Sequence, residues 1–320
     1  MEYNKIHHGN SLQVLKTFPN ESINCVMTSP PYWALRDYGV EGQLGLEKTF
    51  QEYINNICDI FDEVKRVLRK DGTCWINIGD TYSGNKEGKT DNKVSDYLKD
   101  TTKNLHKKTN GVSEKSLCNI PARFSIEMQN RGWILRNVII WYKPNCMPCS
   151  VKDRFTVDFE YVFFFVKSKK YLFETQYEKY TSNDPRPSAL ERARELGYTT
   201  KEKMYHNNGK DCISGTRKSC SGIRNSRNIN GRNKRTVWRI TTKPFKESHF
   251  ATYPEELCYT PIKAGCPENG IVLDPFFGAG TTGLVALKQN KNFIGIELNP
   301  EYIKIANKRL EPYLRNGITS

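Results

Sequence analysis

Between Gly270 and Gly283 the chain reads GIVLDPFFGAGTTG: a β-prone run, an acid, a glycine turn and the start of an apolar helix. A G-x-G-x-x-G turn set between a strand and a helix forms a βα unit whose backbone approaches a ligand closely. Gly278 and Gly280 are the residues that permit the sharp turn. Glu297 follows Gly278 by 19 residues, at the end of the next β-prone run, 293–296. A carboxylate there can accept both hydroxyls of a ribose, so an adenosine-containing cofactor is expected. The glycines alone leave its kind open. A dinucleotide would set its pyrophosphate on the helix N-terminus. Asp274, directly before the turn, suits a cation better, such as the sulfonium and α-ammonium of S-adenosylmethionine.

The remaining pattern alternates short strands with helices. Residues 4–8, 23–27, 73–78, 134–142, 161–166 and 271–273 are β-prone, and helices are expected over 11–17, 50–69, 121–130, 284–290 and 300–310. In 50–69, Tyr53, Ile57, Ile60, Phe61, Val64, Val67 and Leu68 recur at helical spacing, with Asp71-Gly72 as a stop. This predicts an α/β fold, a doubly wound and mostly parallel sheet with helices on both faces.

Charge divides the chain further. Of 49 Lys+Arg and 35 Asp+Glu, residues 178–246 hold 17 and 6, and residues 81–118 hold 8 and 5. The rest is neutral, with 24 of each sign, so the net +14 resides in two polar insertions. The larger includes SGTRKSCSGIRNSRNINGRNKRTVWR, rich in Gly, Ser and Asn and too poor in apolar residues to fold alone. Spaced cations on such a backbone suit phosphates. These insertions also dilute the apolar fraction to 37%. No run approaches the ~18 apolar residues of a membrane helix, and MEYNKIHHGN has no apolar signal region. With 10 cysteines at modest density, reduced thiols and a soluble cytoplasmic protein with a polyanionic partner are expected.

A second motif, Met27-Thr-Ser29-Pro30-Pro31-Tyr32-Trp33, follows the expected strand 23–27, at the carboxyl end where open α/β sheets place their sites. Its prolines stiffen the loop and remove two backbone donors, leaving carbonyls to accept from a ligand. Ser29 adds an acceptor and Tyr32 an aromatic face. Such a set suits the exocyclic amino group of a nucleobase.

Together, TSPPYW early and DPFFGAGTTG late resemble the S-adenosylmethionine-dependent DNA amino-methyltransferases in their β-type motif order. The resemblance covers nearly the whole chain apart from the two insertions. It implies a seven-stranded Rossmann-like sheet, with a catalytic half over 1–174 including the polar loop 81–118. A target-recognition insertion over 175–236 and a cofactor-binding half over 237–320 would follow. It implies Ser29, Pro30, Pro31 and Tyr32 as the catalytic loop. Asn10, Asp274, Phe276, Gly278, Gly280, Thr281, Thr282, Glu297 and His249 would surround the cofactor, Asn10 standing where the family usually has an acid. Arg217, Lys218, Arg224, Arg227, Arg232, Lys234 and Arg235 would meet double-stranded DNA. Ser at the first loop position is more typical of N4-cytosine enzymes, and Asp or Asn of N6-adenine enzymes. N4 methylation of a flipped cytosine is therefore expected, with N6-adenine as the alternative. The setting implied is a prokaryotic cytoplasm, a monomer or homodimer, and a cognate restriction endonuclease without a stable complex; a stand-alone or phage modification enzyme would read the same way.

Other readings are weaker. Cys146-x-x-Cys149 with Cys212 and Cys220 could be imagined as a zinc site, but the second pair has seven residues between its members, and no metal is expected. His7, His8 and His106 form no ligand pattern. An inactive nucleic-acid-binding protein is disfavoured by the intact motifs. A small-molecule methyltransferase is disfavoured by the basic insertion, which excludes RNA less readily.

Overall fold

The structure is a computed structural model that describes residues 2–84, 112–180, 230–242 and 253–316. Two compact units result: Met1–Glu174 with Thr236–Ser320, and Thr175–Arg235. The first contains β1 (Lys5–His8), α1 (Ser11–Lys16), β2 (Ile23–Thr28), α2 (Phe50–Val67), β3 (Leu68–Ile78), α3 (Ile120–Asn130), β4 (Ile134–Tyr142) and β5 (Phe159–Val166). The described part of the second is the short pair β6 (Tyr177–Glu178) and β7 (Arg232–Asn233). The first unit resumes with β8 (Val237–Arg239), α4 (Glu255–Gly265), β9 (Ile271–Asp274), α5 (Thr281–Lys288), β10 (Asn292–Glu297) and α6 (Pro300–Asn316).

One sheet runs in the order β1-β10-β9-β2-β3-β5-β4-β8. All neighbouring pairs are parallel except those of β5, which is antiparallel to β3 and β4. The expected mostly parallel α/β sheet is present, but with eight strands in place of seven: Val237–Arg239 adds a short edge beside β4. The covering of the sheet is visible in β5, FEYVFFFV, which is buried from both faces. Phe163 and Phe165 pack with Tyr53, Ile57 and Phe61 of α2 and Phe124 of α3. Val162, Phe164 and Val166 pack with Leu257 and Ile262 of α4, Leu284 of α5 and Leu310 of α6. Both faces being covered, near-continuous apolar strands are stable there.

Local structure departs from the sequence pattern at two helices. Helix α2 opens on a capping box of Thr49 and Glu52, yet it passes at Leu68 directly into β3. Asp71-Gly72 is no stop; it lies where the β2–β3 register shifts between the Ile23↔Leu68 and Cys25↔Thr73 pairs. Helix α4 carries Pro261 in its interior, which masks its helical character in the sequence.

Candidate active site

Four parallel strands deliver their carboxyl ends to one cavity of about 320 Å³. β1 leads to Asn10, β2 to Ser29–Pro30–Pro31–Tyr32, β9 to Pro275–Phe276–Phe277–Gly278, and β10 ends on Glu297; all of these line the cavity. Asn77 of β3, Glu160 of β5 and Lys143 just beyond β4 line it as well.

In the glycine turn, Gly278 has φ +51° and a Cβ there would meet nothing within 4 Å, so open space adjoins its backbone. Its N–H donates to Glu297 Oε2 (2.7 Å), and Asn299 N–H donates to Oε1 (2.8 Å). Each carboxylate oxygen accepts one of these bonds and has capacity for a second. Burial raises the Glu297 pKa, against the pull of those amides. Gly278, the Phe276 ring and a carboxylate with acceptor capacity together fit the adenosine end of a nucleoside cofactor. Thr281 also lines the cavity. Gly280 and Thr282 do not. Gly280, at φ +80°, caps α5, and a Cβ would stand 3.0 Å from Ala306 Cβ and 3.2 Å from the Phe277 ring, so it serves close packing of α5 on α6.

Asp274 corrects the expectation that it faces a cationic ligand. It is fully buried behind the cavity wall. Its carboxylate accepts from Thr28 Oγ1 (2.6 Å), Thr282 Oγ1 (2.7 Å), Tyr253 Oη (2.9 Å) and Phe276 N (3.0 Å). Burial raises its pKa, opposed by these donors. The acid ties β2 to the glycine turn across 246 positions of sequence. Asn10 lines the cavity, while its Oδ1 caps α1 by accepting from Leu12 N (3.0 Å) and Gln13 N (3.3 Å).

At the Ser29–Tyr32 loop, Ser29 Oγ donates to Tyr32 Oη at 3.4 Å, and Tyr32 Oη lies 2.7 Å from Glu160 Oε2 and 3.1 Å from Asn77 Oδ1. Asn77 Nδ2 donates to the same Glu160 oxygen (3.0 Å), and Lys143 forms an ion pair with the other. Lys143 also stands 4.3 Å from the Trp141 ring centroid. Burial, then the Glu160 charge, holds the Tyr32 phenol well above its ordinary pKa. A Cβ at Gly79 would reach within 2.6 Å of the Tyr32 ring, so that ring lies directly on backbone. Pro31 is not a free acceptor: its carbonyl takes the Tyr53 hydroxyl at 2.8 Å. Sequence reasoning missed Asn77, Lys143 and Glu160. The available signal was a lone acid within the aromatic run of β5.

His249, Arg217, Lys218, Arg224 and Arg227, with Cys212 and Cys220, lie outside the described residues. In the second unit, Arg232 Nε (2.7 Å) and Arg235 Nε (2.6 Å) both bond Glu178 Oε1, while Lys234 N–H donates to Gln176 O (2.9 Å). Burial works against the Glu178 charge, yet Arg235 and Arg232 outweigh it and keep its carboxyl below the ordinary range. Cys149 is exposed and Cys146 half-buried; among the described residues no three His, Cys, Asp or Glu side chains form a metal cluster. Nor, among those residues, is any helix long and apolar enough to cross a membrane.

Comparison with known proteins places this geometry. The DNA methylase family model of the N6/N4 type matches residues 23–308. The Type II methyltransferase M.XycI of Xanthomonas campestris pv. cyanopsidis is 39% identical over 319 residues, covering 98% of this chain and 89% of that protein. M.Cfr9I of Citrobacter freundii is 38% identical over 313 residues, covering 96% and 87%. Among solved structures, the PvuII DNA methyltransferase (cytosine-N4-specific) aligns with a TM-score of 0.56 at 20% identity, over 98% of this chain and 93% of that one. The M1.HpyAVI–SAM complex aligns at 0.51 and 18% identity, over 96% and 98%. At such identities the two structures establish the fold.

Proposed function

This chain belongs to the DNA methylase family of N6/N4 amino-methyltransferases, and from that premise we propose that it methylates N4 of cytosine in duplex DNA. It is a site-specific Type II DNA amino-methyltransferase that uses S-adenosylmethionine. The observation that carries the finer reading is Ser29, and neither Asp nor Asn, at the head of a Ser-Pro-Pro-Tyr loop that shares one cavity with Phe276, Gly278 and Glu297.

S-adenosylmethionine supplies, when bound, a methyl group activated by a positive sulfur. Glu297 holds the ribose hydroxyls and Phe276 backs the adenine. The exocyclic nitrogen of cytosine is a poor nucleophile because its lone pair is delocalised into the ring. Ser29 Oγ and the Pro30 carbonyl accept hydrogen bonds from its two N–H groups and draw it toward a tetrahedral shape, freeing the lone pair. The nitrogen, once methylated, releases one of those protons to water. The Ser29 hydrogen is directed at Tyr32 Oη, which leaves the serine lone pairs for this task. Glu160 and Asn77 fix the Tyr32 ring as a plate for the base. Orientation and preorganised acceptors supply the barrier lowering. The base reaches this cavity by leaving the duplex. Residues 175–236 form the target-recognition region, whose cations divide between phosphate positioning and base readout.

Methyl transfer to plasmid DNA, followed by nucleoside mass spectrometry, tests the reading. N4-methylcytosine is the expected product. N6-methyladenine would overturn the cytosine assignment, and unmodified DNA would overturn the activity.

A further inference from the structure

Antiparallel neighbours such as β4 and β5 need only a few residues to join them. Here residues 143–158 intervene, closed at the base by Lys143 N–H donating to Asp158 O (2.7 Å) next to the last pair, Tyr142↔Phe159. Every residue of 147–157 is exposed. Among them are Met147 (88% exposed), Val151 (40%), Phe155 (96%) and Val157 (49%). A single exposed apolar side chain is ordinary, whereas a cluster of them signals a contact surface.

The loop is braced. Asn145 exchanges two hydrogen bonds with Thr242, at 2.8 and 2.9 Å. Asp153 pairs with Lys115 (2.9 Å), and the Arg154 guanidinium lies 3.4 Å from the Tyr82 ring centroid. Its base belongs to the site: Lys143 and Thr242 line the catalytic cavity. Because β4 runs parallel to β3 through the intervening antiparallel β5, the loop leaves the sheet at the carboxyl edge, beside Ser29 and Tyr32. With Asp153 neutralised by Lys115, Lys152 and Arg154 leave the loop positive.

We propose that the β4–β5 loop is a second duplex-contacting element, distinct from the basic insertion. Phe155 enters the base stack beside the extruded base, and Lys152 and Arg154 take flanking phosphates. Apolar side chains wedged between base steps hold DNA in a distorted form. Duplex DNA is the occupant because cations beside an exposed aromatic match a polyanion of stacked rings. A second copy of this chain would set Lys152 and Arg154 against like charge. The inference rests on the DNA-methylation reading above.

Full-length Phe155→Ala is assayed for methyl incorporation into plasmid DNA, with Phe155→Trp as the conservative variant. Alanine is expected to lower incorporation roughly tenfold and tryptophan to restore most of it, as for a stacking contact. S-adenosylmethionine affinity by calorimetry and the thermal midpoint stay at wild-type values. Lys152→Ala with Arg154→Ala is expected to weaken binding of mixed-sequence duplex and lower its log–log salt slope by ~2. Wild-type incorporation by Phe155→Ala would overturn the wedge. So would sedimentation showing that Phe155→Ala separates a wild-type dimer while DNA binding stays unchanged, since the occupant would then be a second copy. A wild type that binds duplex but incorporates no methyl would instead defeat the functional reading. The binding arm still decides the loop, because unchanged duplex affinity when Phe155→Ala is combined with Lys152→Ala and Arg154→Ala would refute the contact.

Discussion

Two carboxylates line the cavity in different surroundings, and each can be addressed by one substitution. Glu160 accepts from Tyr32 and Asn77 and pairs with Lys143, with both charged side chains 18% exposed. Glu160→Gln keeps an acceptor for Tyr32 but leaves Lys143 without its counter-charge in a half-buried wall. A stability loss of about 1–3 kcal/mol is expected, discounted from a fully buried pair for the remaining exposure. Turnover should fall about tenfold as a neutral amide holds Tyr32 more weakly than the carboxylate does, at unchanged S-adenosylmethionine affinity; equal losses in affinity would place Glu160 in cofactor binding instead. Glu297 titrates upward from its ordinary value near 4.5 because it is buried. For folding, that contribution is complete below the ordinary value and is lost as pH rises through the raised one. For cofactor binding the sign reverses, since ribose hydroxyls donate to the ionised form. Affinity measured by calorimetry should therefore decline as pH falls through the raised value, and Glu297→Gln should bind at least tenfold more weakly with a flat profile. A wild-type profile that is already flat would exclude the carboxylate. That Glu297, Gly278 and Ser29 share one cavity was legible because each rides on a local motif at a strand's carboxyl end. Glu160 and Lys143 were not, because what joins them to Tyr32 is strand pairing across the sheet. Asp274 was legible as important yet misread in role: its partners Thr28 and Tyr253 come from other parts of the chain, which the motif alone does not disclose.

At the scale of elements, two glycines of one motif separate into two functions. Gly280 is left-handed at φ +80° and already crowded by Ala306 and Phe277, whereas Gly278, at φ +51°, faces open space. Gly280→Ala thus meets both backbone strain and a clash between α5 and α6, and about 2–4 kcal/mol of lost stability is expected. Gly278→Ala meets strain alone, about 1 kcal/mol, and should instead weaken cofactor binding by placing a methyl at the cavity wall. Thermal melts beside cofactor titrations separate the two; equal melting shifts would refute the division. Strands β2, β5, β9 and β10 match the sequence reading to within two residues because burial makes them mostly apolar, whereas β3 starts five residues earlier, in the polar run Arg69–Asp71. Helix α4 and strand β8 were not legible: Pro261 contradicts a helix locally, and three residues at a sheet edge carry too little pattern to stand out. Tertiary packing of Leu257, Cys258 and Ile262 against the sheet overrides the proline.

For the whole molecule, what matters is that charge and chemistry occupy different stretches of one chain. Apart from Thr242, the cavity is built from the stretches in which 24 cations and 24 anions cancel, while residues 178–246 carry 17 cations against 6 anions. Cofactor binding and DNA binding should consequently respond differently to salt. On the proposed reading the cavity would meet its cofactor through hydrogen bonds and apolar contact, so affinity for S-adenosylmethionine should change less than about threefold between 50 and 200 mM salt, a span over which exposed charges are progressively screened. Duplex affinity depends on released counterions and scales with the phosphates neutralised. If six of the seventeen cations in 178–246 meet phosphate, affinity should fall by ~10³ over the same span. Two of the expected contacts are already bonded to Glu178. Glu178→Gln releases Arg232 and Arg235 from a counter-charge and should therefore strengthen non-specific duplex binding and steepen its slope. Filter binding across a salt series, with calorimetry of the cofactor alongside, reads both quantities on one preparation. A shallow slope, or a Glu178→Gln slope no steeper than wild type, would mean that Arg232 and Arg235 hold their own unit together and that the phosphates are met elsewhere in the chain.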